Sequence, residues 1–286
     1  MVLNIIVDGL MLGALFAVAS IGLSMFYSST GIFNLAHGAL LILGGYLVYT
    51  GLATLSLPLP LAVVFSVLTL SIFSMLFYRY FLHPIRHHHL TSVLITLALL
   101  LVLERLTIVL YGPWGLPFPT VFPGVAELAG VEVSMQKIAV TILSLAFIAF
   151  LWFVMNKTWV GLAIRATIDN IEASAASGIN SDRIILFSVF LASAVTAVGG
   201  VSIASTLFLS PILMSQMNMV AIAVAILAGL GSLWGVIPAA FILGFSDVIG
   251  ALYFGGWYRF VNLALVIIIV LLVRPEGIFG ERERIA

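Results

Sequence analysis

The chain has 286 residues, 63% hydrophobic and 8% charged, with no cysteine and no net formal charge. A mean hydropathy of +1.28 lies outside the range of soluble domains and predicts an all-α integral membrane protein whose immediate partner is the lipid bilayer. The charge balance gives no footing for nucleic acid, and the missing thiols exclude disulfides, cysteine metal sites and iron–sulfur clusters.

The amino terminus carries Asp8 in place of the basic residues of a secretory signal, so the first span, 8–27, is read as retained. The first Lys or Arg is Arg79, and the positive-inside rule therefore places the amino terminus outside. Gly9 and Gly13, four apart, let another helix approach closely. Ser28, Ser29, Thr30 and Gly31 then interrupt the apolar run, the pattern of a helix broken within the membrane. Asn34 and His37 follow, three apart on one helical face. Polar groups at membrane depth turn to the bundle interior or to a wet path. Two readings stand for them: they bond a neighbouring helix, or they line a substrate path together with Gln216 and Asn218.

A third span, 61–82, opens after Pro58 and Pro60 and closes near Arg79. His83, Arg86 and the run His87, His88 and His89 follow. Consecutive side chains do not share a helix face, so this is an interfacial loop and no metal site is expected. The fourth span, 91–111, carries Glu104 and Arg105, adjacent and therefore diverging, with Arg105 snorkelling and Glu104 finding another partner. The proline-rich stretch 112–135 cannot be helical and is read as an extracytoplasmic loop folded back on the membrane surface. About nineteen uncharged residues between Lys137 and Lys157 would span roughly 28 Å as a helix, close to a bilayer core.

Residues 157–183 form the one interior segment that mixes both signs of charge with helix-forming residues. Its alanines predict a short exposed helix, and Gly178 with Ile179 and Asn180 predicts its stop. Arg165 stands one turn before Asp169, so a local ion pair is available. A sixth span runs over 184–208, with Pro211, Gln216 and Asn218 marking its outer turn. Residues 219–230 give a short or re-entrant span, broken from the next, 236–254, by Gly229, Gly231 and Gly235. Asp247 lies in that next span. Trp257, Tyr258 and Arg259 read as an interfacial anchor before the last span, 260–273. The count is eight or nine crossings. Nine puts Arg79, Arg86, Lys157, Arg165, Arg183, Arg274, Arg282 and Arg284 in the cytoplasm together with the carboxyl terminus, and the charge rule favours it.

Four blocks resemble one family, the permease subunits of branched-chain amino-acid (high-affinity leucine/isoleucine/valine-type) ABC importers. The first holds Gly22-Leu23, Tyr27, Gly31, Asn34 through Gly38, and Leu43-Gly44 with Tyr46. The second holds Gly161, Arg165-Ala166, Asp169 and Gly178-Ile179-Asn180. Gly229, Gly231-Ser232 and Gly235 form the third, and Arg274, Pro275, Gly277, Phe279 and Gly280 the fourth. Where many relatives carry a lysine, this chain has Val220. The resemblance implies one transmembrane permease domain over 1–286, in a prokaryotic plasma (inner) membrane. It also implies that Gly161, Arg165, Ala166, Asp169, Glu172, Ala173, Gly178, Ile179 and Asn180 couple the chain to an ATPase.

The chain has no phosphate-binding loop of the GxxxxGK[ST] type, so ATP hydrolysis falls to other polypeptides and no cofactor or catalytic residue is expected here. The implied partners are two ATP-binding subunits, a related second permease and an extracytoplasmic substrate-binding protein. The alternatives are an amide- or urea-specific importer of the same kind, or a stand-alone transporter or channel for a small polar solute, using Asn34, His37 and Asp247. An intramembrane enzyme finds no nucleophile or metal motif.

Overall fold

The computed structural model describes residues 2–128, 131–256 and 258–280. The helices in chain order are α1 (Val2–Thr30), α2 (His37–Ala53), α3 (Leu59–Phe77), α4 (His89–Tyr111), α5 (Met135–Lys157), α6 (Trp159–Asp169), α7 (Ile171–Ala176), α8 (Ser181–Ala204), α9 (Ile212–Ala228), α10 (Val236–Phe254) and α11 (Tyr258–Val273). Six helices among the described residues are long and apolar enough to cross a membrane, and three shorter apolar ones, in α2, α9 and α11, bring the bundle to nine. This matches the larger of the two counts read from the sequence.

The helices sort into an inner and an outer set. Half of the most apolar stretch of α1 and 56% of that of α8 is buried, against 22% for α4. The inner helices meet through small residues, because lipid tails give no hydrophobic drive for association and close backbone approach must supply the contact. Gly13 of α1 lies against Gly244 of α10, and Gly44 and Gly45 of α2 face Ala197, Gly200 and Ala204 of α8. The pair Gly9 and Gly13 thus does what its spacing implied.

Several boundaries differ from the sequence reading. The serine run does not break α1, since Ser28, Ser29 and Thr30 donate their hydroxyls to the carbonyls of Ser24, Met25 and Phe26 at 2.8, 3.0 and 2.8 Å. These bonds keep the side chains satisfied inside the helix, and the break falls instead over 31–36. α9 starts at Ile212 behind Pro211, so Gln216 and Asn218 stand within a helix and not in the outer turn. α3 continues as a π-helical turn, Tyr78–Leu82, then a 3₁₀ turn, His83–Ile85. The proline-rich stretch ends in a small antiparallel pair, β1 (Val125–Leu128) and β2 (Val131–Ser134).

That loop lies across the bundle end. Leu116 exchanges backbone hydrogen bonds with Leu209, between α8 and α9, at 2.8 and 3.0 Å. Gln136 of α5 accepts from the N–H groups of Val121 and Phe122 at 3.1 and 2.9 Å. At the opposite end Asp182 of α8 takes Arg86 at 3.2 Å and His83 at 3.5 Å, tying the end of α3 to the start of α8. Glu104 accepts from the Ser215 hydroxyl at 3.0 Å.

Candidate translocation and coupling sites

The first site is the start of α2. His37 Nε2 lies 2.7 Å from the carbonyl oxygen of Ala19, and at 1.5 Å per residue Thr30 is about 16 Å further along α1. Residues 31–36 therefore run back beside α1, and α2 begins at membrane depth. A helix start leaves donors without partners, and in hydrocarbon each would be costly. Four consecutive N–H groups are satisfied here. Leu35 donates to Thr96 Oγ1 of α4 at 3.1 Å, Ala36 to Asn34 Oδ1 at 2.9 Å, His37 to the Asn34 carbonyl at 3.3 Å and Gly38 to Asn218 Oδ1 of α9 at 3.1 Å.

Asn34, His37 and Asn218 are thus brought together, all buried. Gln216 is half-buried on α9, and two residues apart it points about 200° away from Asn218. A side chain at Gly38 would meet the Met214 carbonyl and the backbone of Asn218, so glycine there is what lets α2 reach α9.

The second break, 229–235, meets the last turns of α1 across the interior. Ser28 Oγ lies 2.8 Å from the Gly231 carbonyl as well as from that of Ser24, its one proton shared between them, and Ser24 Oγ donates to the Ser232 carbonyl at 3.2 Å. The stretch after α11 closes the other side. Ile278 and Phe279 donate their N–H groups to the carbonyls of Leu227 and Ala228 at 2.9 and 3.1 Å, capping the last turn of α9. Gly277 sits at φ +85° directly against Gly229, where a side chain has neither the conformation nor the room. Nothing in the sequence links these two glycines; only the packing shows what the closing motif does.

The sequence reading also missed a cavity of about 520 Å³ between α1, α5 and the α10–α11 corner, lined by Asp8, Lys137, Asp247 and Arg259 among mainly apolar neighbours. Arg259 Nε donates to Asp247 Oδ2 at 2.7 Å. Arg259 is therefore an ion-pair partner for a carboxylate in the bundle, which its reading as an interfacial anchor did not include. A signal was present, since the nine-crossing count sets all four residues towards the same side.

The segment between α5 and α8 is two helices, not one. Thr158 Oγ1 caps α6 by accepting from Gly161 N–H at 3.2 Å, and Asn170 Oδ1 caps α7 by accepting from Ala173 N–H at 2.9 Å. Asn170 is extended, φ −159°, and separates Asp169 from Glu172. The expected Arg165–Asp169 pair is absent among the described residues, and Arg165 Nη1 instead donates to Asn156 Oδ1 of α5 at 2.7 Å. Gly161 packs on the Val154 and Met155 carbonyls. Thr167 and Ser174 hydroxyls bridge the two helices at 3.2 Å. The helix stop falls as read: Gly178 has φ +84° and Ile179 N–H reaches the Ser174 carbonyl at 3.1 Å. Asn180 then caps α8 through Arg183 N–H at 3.1 Å. Ala166 is half-buried, while Ile168, Asp169, Ile171, Glu172 and Ala173 are exposed. The result is a braced, self-capped pair of helices presenting apolar and acidic side chains away from the bundle.

Nine apolar helices among the described residues, around two internal breaks and with a polar helical pair hung between two spans, define a multi-pass membrane protein. The chain belongs to the family described as branched-chain amino acid transport system, permease component, whose model matches residues 5–272. Its relatives include the high-affinity branched-chain amino acid transport system permease protein BraD of Pseudomonas aeruginosa, 27% identical over 293 residues, 97% of this chain and 95% of that protein. The corresponding LivH of Escherichia coli K12 is 26% identical over 292 residues, 96% of this chain and 94% of that one. Among solved structures, PsaBC from Streptococcus pneumoniae in complex with Fab aligns with a TM-score of 0.54 at 14% identity, covering 96% of this chain and 97% of that one. That last likeness speaks for the fold.

Proposed function

We propose that this chain is the membrane-embedded permease subunit of an ABC importer for branched-chain or related amino acids, driven through α6 and α7 by separate ATP-binding subunits. The observation that carries the reading is the braced helical pair between α5 and α8, in a chain of this family. Its caps close the two helices on themselves, and the bond from Arg165 to Asn156 holds them to α5. Its exposed Ile168, Asp169, Ile171, Glu172 and Ala173 offer a docking face. A stand-alone carrier has no use for such a face.

The assembly has two ATP-binding subunits, a related second permease and an extracytoplasmic binding protein, in a prokaryotic plasma (inner) membrane. The amino terminus is outside and the carboxyl terminus cytoplasmic, the orientation the positive-inside rule gives for nine crossings. Asn34, His37, Gln216 and Asn218 belong to the wall of the path, where the first, second and fourth also hold α2 at membrane depth.

The test is reconstitution of the chain with its companion subunits in proteoliposomes. Uptake of labelled leucine that requires ATP, the ATP-binding subunits and the binding protein supports the reading. Uptake by the chain alone, without ATP, would establish the self-sufficient carrier in its place.

A further inference from the structure

The cavity between α1, α5 and the α10–α11 corner takes no part in either break. At about 520 Å³ it has the size of a small-molecule site. Its charged lining has both signs, with carboxylates from Asp8 and Asp247 and cations from Lys137 and Arg259. Asp247 is only 2% exposed; its Oδ2 holds Arg259, and its Oδ1 has no hydrogen-bond partner among the described residues. A buried carboxylate oxygen without a donor is costly. Charged groups on membrane-spanning helices pair with one another or face a water-filled cavity, and Asp8 and Lys137 are both exposed beside Asp247 in the lining of this one. The remaining wall is largely aliphatic, with Ile5, Leu12, Leu15, Leu207, Val248 and Leu252.

We propose that this cavity binds a small zwitterion: an ammonium group donating to Asp247 Oδ1 and Asp8, an anionic oxygen group against Lys137, and an aliphatic body along the apolar wall. The arrangement suits a molecule whose two charges sit close together, since the carboxylates come from α1 and α10 and the free cation from α5. Arg259 is already engaged and keeps Asp247 oriented. Two sources carry this chemistry. One is a free branched-chain α-amino acid, which rests on the importer reading above. The other is the ethanolamine phosphate headgroup of a membrane lipid, which does not.

The experiment uses the membrane complex of permease and ATP-binding subunits, without the extracytoplasmic binding protein that would itself hold leucine, in nanodiscs of phosphatidylcholine, whose quaternary ammonium has no N–H to donate. The binding protein is added back only for the uptake control. Labelled leucine should bind saturably, displaced by isoleucine but not by 4-methylpentanoate, which lacks the ammonium, or by isoamylamine, which lacks the carboxylate. Asp8→Asn and Lys137→Gln alter exposed side chains and should preserve the fold. Each should weaken binding on the order of ten-fold, as for loss of one charge-assisted hydrogen bond. Asp247→Asn should weaken it further. In a second arm, native mass spectrometry of complex taken from phosphatidylethanolamine membranes reads lipid retention. Retention by wild type, lost in both exposed-residue variants, supports the site with the lipid as its source.

The proposal is overturned if wild type retains neither leucine nor phosphatidylethanolamine. It is equally overturned if Asp8→Asn and Lys137→Gln bind both as wild type does. ATP-driven leucine uptake by the wild-type complex, measured alongside, separates the two conclusions: uptake that persists leaves the importer reading standing without this site, and uptake that is absent strikes that reading itself.

Discussion

His37 of α2 and Ala19 of α1 are joined by a 2.7 Å hydrogen bond from the imidazole Nε2 to a backbone carbonyl. A carbonyl only accepts, so the proton is on Nε2, and the bond fixes how far the chain climbs back into the bundle after α1. His37→Ala would remove it from a residue that is 2% exposed. The expected cost is about 1–3 kcal/mol for the unpaired buried group, read as a lower Tm of the detergent-solubilised complex. Leucine uptake per assembled complex should fall too, as expected of a residue in the wall of the path. Uptake that falls only in step with the amount of complex assembled would leave His37 a packing role alone.

The α2–α9 contact predicts an ordering of two substitutions. Gly38→Ala forces a methyl into the Met214 carbonyl and the Asn218 backbone, and neither can move without displacing a helix. Asn218→Ala removes one acceptor from Gly38 N–H and leaves the helices in place. Expression and monodispersity on size-exclusion chromatography should be lost for the first and reduced for the second. The reverse order would mean that the hydrogen bond, not the close approach, holds α2.

Gly277 gives a third test, at the far end of the chain. With φ +85° and Gly229 packed against it, Gly277→Ala combines backbone strain with a clash, and should destabilise by more than about 1 kcal/mol. Limited proteolysis should then cut between α9 and α10, because the carbonyls of Leu227 and Ala228 lose the N–H groups of Ile278 and Phe279. An unchanged cleavage pattern would deny the tail its capping role.

What the sequence disclosed followed from local physics. Hydropathy found the spans, two-signed charge found the segment between α5 and α8, and Gly178 marked its end, because each signal is written within a few residues. Asn170 carried a signal that was passed over. It stands three residues before Ala173, the spacing of a helix cap, and it splits one expected helix into α6 and α7. Pro211 likewise announces α9, yet the polar Gln216 and Asn218 looked like a turn because their partners are remote: Asn218 bonds Gly38 on α2. The pairing of Asp247 with Arg259 and the seat of Gly277 on Gly229 depend on helices meeting in space, which no short window contains.

Asp169 separates fold from docking. Since Arg165 bonds Asn156 and not Asp169, Asp169→Asn should leave the Tm of the isolated chain unchanged. Any effect belongs to the partner contact, where an exposed charge pair is worth about 0.2–1 kcal/mol, a loss of a few-fold in affinity for the ATP-binding subunit. A drop in Tm without that loss would return Asp169 to an internal role.

We propose that the tip of α7 is gripped by an ATP-binding subunit, and the chain contains no cysteine to complicate a direct test. Ala173 is exposed and follows the Asn170 cap, so Ala173→Cys should fold normally. Treatment of membranes holding the co-expressed complex with a short bismaleimide, after single cysteines are placed across the membrane-facing surface of the ATP-binding subunit, should give a crosslinked band whose yield changes between nucleotide-free and ATP-bound states. No crosslink from position 173 at any of those positions, in a complex that still hydrolyses ATP in response to substrate, would contradict the proposed docking.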